Sequence, residues 1–197
     1  AGLKRALELK EKLAVETFFY KPQRIFDKIK KIFIKQQEDF EKNWDKKRDL
    51  TLEGEAYFQV QKGKTFSVKT TDGVVKVLGT HFDVKQRHNY YEVSCYEGLV
   101  SVTYKNNTLK LPPGKTFRVI NNTIIKTEDF DAKIPSWLAK ESSFSQIPLN
   151  QVLAELERQY DIKIEAKELD TTKIFTGSFT QVSNYVETHA HGIHRTF

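Results

Sequence analysis

From Thr51 onward the apolar residues of this chain recur with a period of two, and that alternation limits the fold more than any other feature of the sequence. Leu52, Gly54, Ala56, Phe58 and Val60 share one face of the first run, and Glu53, Glu55, Tyr57 and Gln59 share the other, which predicts a half-buried strand. Short runs of the same kind follow about every ten residues, at 66–68, 75–77, 82–84, 91–95, 100–104, 109–111, 117–119 and 123–125. Turn residues separate them. Asp72-Gly73, Asn106-Asn107 and Asn121-Asn122 suit tight hairpins, and Pro113-Gly114 suits a type II turn. This spacing predicts an antiparallel β-sandwich or a stack of hairpins over residues 49–136.

The period is different on either side. Residues 3–14 and the stripe Ile25, Phe26, Ile29, Ile32, Phe33, Phe40 and Trp44 follow helical spacing, so residues 1–48 read as a helical arm. Beyond Pro135 a second unit is expected over 137–182. In it Phe144 and Ser145 form a leading strand, Leu149, Val152, Leu153, Leu156 and Tyr160 form one helical face, and Ile162–Ile164 and Ile174–Phe179 form strands. The last segment, 183–197, has no clear period. The expected class is α+β: N-terminal helices, a central antiparallel β module and a small C-terminal β-α-β unit.

Charge and motifs narrow the function. The net charge of +6 is concentrated in the first fifty residues, where fourteen Lys and Arg face nine Asp and Glu, so the β region is close to neutral. It therefore lacks the electropositive groove that single-stranded nucleic acid requires, and no nucleic-acid partner is expected. No stretch approaches a bilayer span. The phosphate-binding glycine loops, the GxSxG elbow, HExxH and CxxC are all missing, and no catalytic residue or cofactor is assigned. Cys95, the single cysteine, shares a strand face with Tyr91 and Val93 and reads as a small core hydrophobe. Glu53 and Glu55 read as outward-facing acids. His81 and His88 read as surface residues. His189, His191 and His194 are weak candidate metal ligands, since a tail without regular structure offers nothing to fix their tautomers. The sheet tyrosines Tyr57, Tyr90, Tyr96 and Tyr104 carry an alternative reading as a glycan or cell-envelope binding platform.

Several phrases, taken in order, resemble the FecR-type anti-sigma regulators of Bacteroidetes: LEGEAYFQV at 52–60, FSVKT at 66–70, VKVLGTHFDV at 75–84, YEVSCYEGLVSV at 91–102 and LPPGK at 111–115. Trp137, FSQIPLNQVLAELERQYDIKI at 144–164 and IFTGSF at 174–179 resemble the family's C-terminal domain. The resemblance implies a periplasmic regulator that works by protein–protein binding and not as an enzyme. It would relay the state of a TonB-dependent outer-membrane receptor to an extracytoplasmic-function sigma factor. The implied partner is the receptor's signalling domain, and contact is assigned to Trp137, Phe144, Leu149, Glu155, Arg158, Phe175 and Phe179. The sigma factor would be met only through segments not evident here. The family's inner-membrane anchor is not found in the sequence, the first fifty residues do not match its sigma-binding segment, and the histidine tail departs from its pattern. A gene fragment, a fused or frameshifted end or an artificial chain is therefore expected, with a β domain that lacks its first strands.

Overall fold

Valine, isoleucine, threonine and aromatic residues crowd the alternating runs, and such side chains pack well on a pleated surface, so the runs become strands. A computed structural model describes residues 15–19 as backbone together with 48–139, 141–160, 162–167 and 170–180. Its strands are β1 (Val15–Phe19), β2 (Arg48–Thr51), β3 (Glu55–Val60), β4 (Phe66–Lys69), β5 (Gly73–Val77), β6 (Thr80–Arg87), β7 (Tyr90–Glu97), β8 (Val100–Tyr104), β9 (Asn107–Leu111), β10 (Lys115–Ile120), β11 (Thr123–Ile125), β12 (Glu141–Pro148) and β13 (Ile174–Thr180). One α-helix is described, α1 (Leu149–Tyr160), and a single 3₁₀ turn covers Ser136–Ala139.

Two sheets make the sandwich. One has the order β1-β3-β6-β7-β10-β11 and the other β2-β4-β5-β8-β9, with β2 and β4 parallel and the remaining pairs antiparallel. Ala56, Phe58, Phe82, Val84, Val93 and Cys95 of the first sheet meet Phe66, Val68, Val75, Val100 and Val102 of the second in one core. The stacked rings of Phe58 and Phe82 lie 5.1 Å apart at its centre. Burial of that area is the main stabilising term, at roughly 25 cal/mol per Å² of apolar surface. Cys95 is buried there as expected, and burial pushes its thiol pKa up to about 11, which keeps it protonated and unreactive at neutral pH.

The N-terminal arm differs from expectation where it is described. Val15–Phe19 is a strand paired along β3, because VETFF is β-branched and aromatic enough to extend that sheet. The expected helices over 3–14 and 22–44 lie outside the described residues, as do His189, His191 and His194. With β1 on the edge of one sheet and β2 on the edge of the other, two strands that periodicity alone does not reveal precede β3. The long strand expected from Thr51 is broken at Glu53-Gly54, where Gly54 takes a φ of +115°.

The turns vary in how they meet expectation. Asn121 and Asn122 both adopt positive φ, 48° and 63°, as a tight hairpin between β10 and β11 requires. At 70–73 the chain turns differently. The Thr70 hydroxyl accepts the backbone N–H groups of Asp72 and Gly73, at 3.3 and 3.0 Å, and glycine is needed for close approach: a β-carbon on Gly73 would lie 2.6 Å from the Thr103 carbonyl oxygen. Thr70→Ala is expected to lower stability by about 1 kcal/mol through loss of these bonds, measured by urea unfolding. A loss too small to resolve would mean that the backbone bond from Thr70 N–H to the Gly73 carbonyl holds the turn alone.

The C-terminal unit pairs β12 antiparallel to β13, with a bulge between Phe144 and Ile147, and α1 connects them. The first free N–H groups of α1, at Leu149 and Asn150, donate to the carbonyls of Lys173 and Thr171, so the segment before β13 caps the helix. Ile162–Ile164 is not a strand. The Ile162 N–H donates to the Glu157 carbonyl and the Ile164 N–H to the Glu157 carboxylate, which holds this segment against the end of α1.

Candidate functional site

A sheet face turned to solvent should carry scattered polar residues, yet the outer face of the six-stranded sheet carries an ordered row of opposite charges. Glu55 of β3 lies directly across from Lys85 of β6, Lys85 from Glu92 of β7, and Glu92 from Arg118 of β10. Each neighbouring pair in this row is of opposite sign, the arrangement that stabilises cross-strand contacts. Glu55 is 7% exposed and Arg118 likewise 7%, because the C-terminal unit lies over this face. The outward reading of Glu53 and Glu55 is thus half corrected: Glu53 is exposed, and Glu55 is buried.

Helix α1 completes the network from above. Its Glu155, 4% exposed, is 3.5 Å from Lys85 Nζ, 3.7 Å from Arg87 Nε and 2.6 Å from Arg158 Nη2. Lys85 and Arg87 also reach Glu55, at 3.3 and 3.0 Å, so two cations of the sandwich are shared between a carboxylate of their own sheet and one of the helix. Arg118 joins the units a second time, pairing with Glu92 and donating to the Ser145 carbonyl of β12 at 2.9 Å. Tyr90 donates to Glu92 at 2.7 Å and closes this end of the row.

The titration behaviour follows from this packing. Burial by itself would raise the pKa of Glu155, but Lys85, Arg87 and Arg158 together outweigh it and hold the carboxyl at about 2. Burial raises the pKa of Glu55, and Lys85 and Arg87 offset only part of that. Burial raises the Asp83 carboxyl well above its ordinary value, with Glu55 adding to it and Lys85 easing it in part. For Lys85, burial acts to lower the pKa, and the charges of Glu55 and Glu155 overcome it and raise it.

Beside the ion pairs lies an apolar seat. Tyr90, Ile120 and Ile125 of the sandwich pack with Phe144, Ile147, Val152, Leu149, Leu156 and Phe175 of the C-terminal unit. Of the residues expected to touch a partner, Phe144 and Glu155 are therefore internal: Phe144 is 7% exposed and fills this seat. Leu149 and Phe175 are half-buried at its edge, Arg158 is half-buried on Glu155, and Trp137 is half-buried in the 3₁₀ turn. Phe179 is 42% exposed, and its ring stacks at 5.8 Å on Phe175 across Gly177, where a β-carbon would come within 2.9 Å of the Phe175 ring. Ile174 at the other end of β13 is 63% exposed. Among the described residues β13 pairs only with β12, which leaves its outer edge open.

The sheet tyrosines do not form an exposed platform. Tyr57, Tyr90 and Tyr104 are 1, 6 and 5% exposed, which leaves no surface on them for stacking sugars, and Tyr96 is half-buried against Tyr57 and Phe130. His81 is half-buried with Nδ1 3.1 Å from Glu97, and His88 is exposed. No group of three or more potential metal-ligating side chains is found among the described residues, and no described helix is long and apolar enough to cross a membrane.

Comparison with known proteins gives the same division into two parts. The family model described as FecR protein matches residues 33–101, and that of the FecR C-terminal domain matches 141–187. Two crystal structures of a "putative anti-sigma factor" from Parabacteroides distasonis ATCC 8503 are similar. One has 29% identity and a TM-score of 0.63, covering 71% of this chain and 69% of that one. The other has 31% identity and a TM-score of 0.61, covering 68% of this chain and 66% of that one. No curated protein matches. The sandwich strands, the C-terminal strand-helix-strand unit and both family matches in this order place the chain in the FecR family.

Proposed function

We propose that this chain is the sensing portion of an anti-sigma regulator, and that it works in the periplasm by binding the signalling domain of a TonB-dependent receptor. An anti-sigma role is what the family and the similar structures support. The observation that carries the receptor reading is the outer edge of β13, unpaired among the described residues, with Ile174 and Phe179 exposed at its two ends. Such an edge takes an added strand from a partner: main-chain hydrogen bonds give affinity, and the flanking apolar side chains give specificity. Binding of this kind needs no catalytic group. The ionic and apolar seat beneath ties the C-terminal unit that carries this edge to the charged face of the sandwich, which gives partner contact at β13 a route to that face. Contact with the sigma factor would run through other segments of the regulator.

The test is titration calorimetry against a panel of receptor signalling domains, with wild type and the variants Ile174→Lys and Phe179→Ser. Ile174 is 63% exposed, so Ile174→Lys should keep the unfolding midpoint of the wild type, and Phe179→Ser, which also loses ring contacts with Phe175 and Phe144, is titrated well below its own measured midpoint. Each should weaken binding about tenfold or more, since one well-packed apolar side chain contributes on the order of 1.5–3 kcal/mol. Absence of binding across the panel, or binding unchanged by both substitutions, would overturn the reading.

A further inference from the structure

Between the charged sheet face and the C-terminal unit is a cavity of about 250 Å³. Its floor includes the row next to the charge ladder, Asp83, Ser94 and Thr116, which lie directly opposite one another in β6, β7 and β10. The connector from β11 to β12 forms a side wall, tied down by the Thr127 hydroxyl on the Thr116 carbonyl at 2.7 Å and by the Phe130 N–H on the Gly114 carbonyl at 3.0 Å. Four aromatic side chains line the cavity: Phe144, which fills the apolar seat, and Trp137, Tyr96 and Phe130, the last two with ring centroids 5.1 Å apart.

The lining is acidic, with seven carboxylates against two basic residues. Most of that charge is already matched. Of the buried acids, Glu55 has Lys85 and Arg87, and Glu155 has Arg158 as well as Lys85 and Arg87; the half-buried Glu92 has Arg118. Asp83 differs. It is 6% exposed, is in no ion pair among the described residues, and although the Trp137 indole eases its carboxyl, its Oδ1 is buried without a hydrogen-bond partner. A buried carboxylate oxygen left in this way costs several kcal/mol unless something completes it.

We propose that this cavity binds an organic monocation, an alkylammonium or guanidinium group, with Asp83 as its counter-ion and Tyr96, Phe130 and Trp137 as its aromatic wall. An anion would meet the surplus of carboxylates. A bare divalent ion would need several ligands converging on one point, and no such group is present among the described residues. An organic cation gains from both features at once, the carboxylate and the electron-rich ring faces. At about 250 Å³ the space lies below the roughly 300–1,000 Å³ of drug-sized sites, so the group is of side-chain size. Two sources share that chemistry, a free small amine and a lysine or arginine side chain offered by a protein partner.

The experiment titrates the protein with n-butylammonium, n-butylguanidinium and the neutral isostere 1-butanol, following the Trp137 indole N–H resonance. Saturable shifts are expected with the two cations and none with butanol. Affinity should fall about tenfold or more in Asp83→Asn, which keeps shape and removes charge, and also in Trp137→Leu, with thermal melts showing that both fold. An added arm with the N-acetyl, N-methylamide of lysine separates the sources: binding equal to butylammonium marks a side chain from a partner, and its exclusion marks a free amine. Equal shifts with butanol, no saturable response to either cation, or undiminished binding by Asp83→Asn would overturn the proposal. None of these outcomes bears on the receptor reading, because the titration uses no protein partner.

Discussion

Glu155→Ala is expected to destabilise the protein by about 3–5 kcal/mol, the cost typical of removing one partner from a buried ion pair. The reason is what the substitution leaves behind. Lys85 and Arg87 have side chains only 19 and 12% exposed, and without Glu155 each loses one of its carboxylate partners while still held away from water. Urea unfolding should show the loss, and limited proteolysis should show it first in the C-terminal unit, since Glu155 joins α1 to the sandwich. The pH dependence has a definite sign. The Glu155 carboxyl is held near 2, below the usual range of about 4.3, so its contribution is fully present above that range and disappears as pH falls toward 2. Wild type and variant should therefore converge in stability near pH 2. A loss under about 1 kcal/mol at neutral pH would show that the helix is held by the apolar seat of Phe144, Ile147 and Val152 and that the ion pairs add nothing.

The strands were legible because burial of one sheet face imprints a period of two on each run, and β3, β5, β7 and β10 fall where Ala56, Phe58, Val75, Val93 and Phe117 mark the inward positions. The helix face from Leu149 through Val152 to Leu156 was legible for the same reason at its own period. The charge ladder was not. Glu55, Lys85, Glu92 and Arg118 belong to four strands, and only register brings them into line. A one-residue slip would turn each of them to the opposite face, and register depends on turn lengths that a linear reading does not fix. One signal was available. The outward positions of β6 are His81, Asp83, Lys85 and Arg87, a run of acid and base that can pair with complementary charges on neighbouring strands. The same reasoning explains why Glu155 and Phe144 read as partner contacts from sequence. Their spacing on α1 and β12 is compatible with either side, and only the docked arrangement shows that both point into the molecule.

That docking combines two kinds of contact with different responses. The apolar seat of Tyr90, Ile120 and Ile125 against Phe144 and Ile147 is nearly indifferent to salt and pH, and the ionic half answers to both. A unit held by both can be loosened without being unfolded, because what is uncovered first is a charged face that water solvates well. Under the proposed relay, this division would keep the C-terminal unit attached while leaving its seating adjustable.

Asp83→Asn tests how far the charged face is kept for something other than stability, and the variant is expected to be more stable than wild type at pH 7. Burial and then the nearby charge of Glu55 raise the Asp83 carboxyl well above its ordinary value, with Glu92 adding to them and Lys85 and the Trp137 indole easing it only in part. A carboxyl whose folded pKa is raised favours the folded state fully below its unfolded value, near 3.9, and that advantage is lost as pH rises through the folded value. At neutral pH the native protein therefore carries the cost of either ionising this carboxyl away from water or keeping it protonated against the solvent, and asparagine carries neither. The stability difference should be small near pH 4 and widen with rising pH, to more than about 1 kcal/mol by pH 7 in urea titrations run across that range. A constant difference across the range, or a variant less stable at pH 7, would show that the Asp83 charge is well matched in the folded state. If the gain is found, the position is one where an isosteric change of a single group stabilises the fold while removing the counter-ion of the cavity. Retention of a destabilising charge is then explained by binding, the trade that functional sites commonly make against stability.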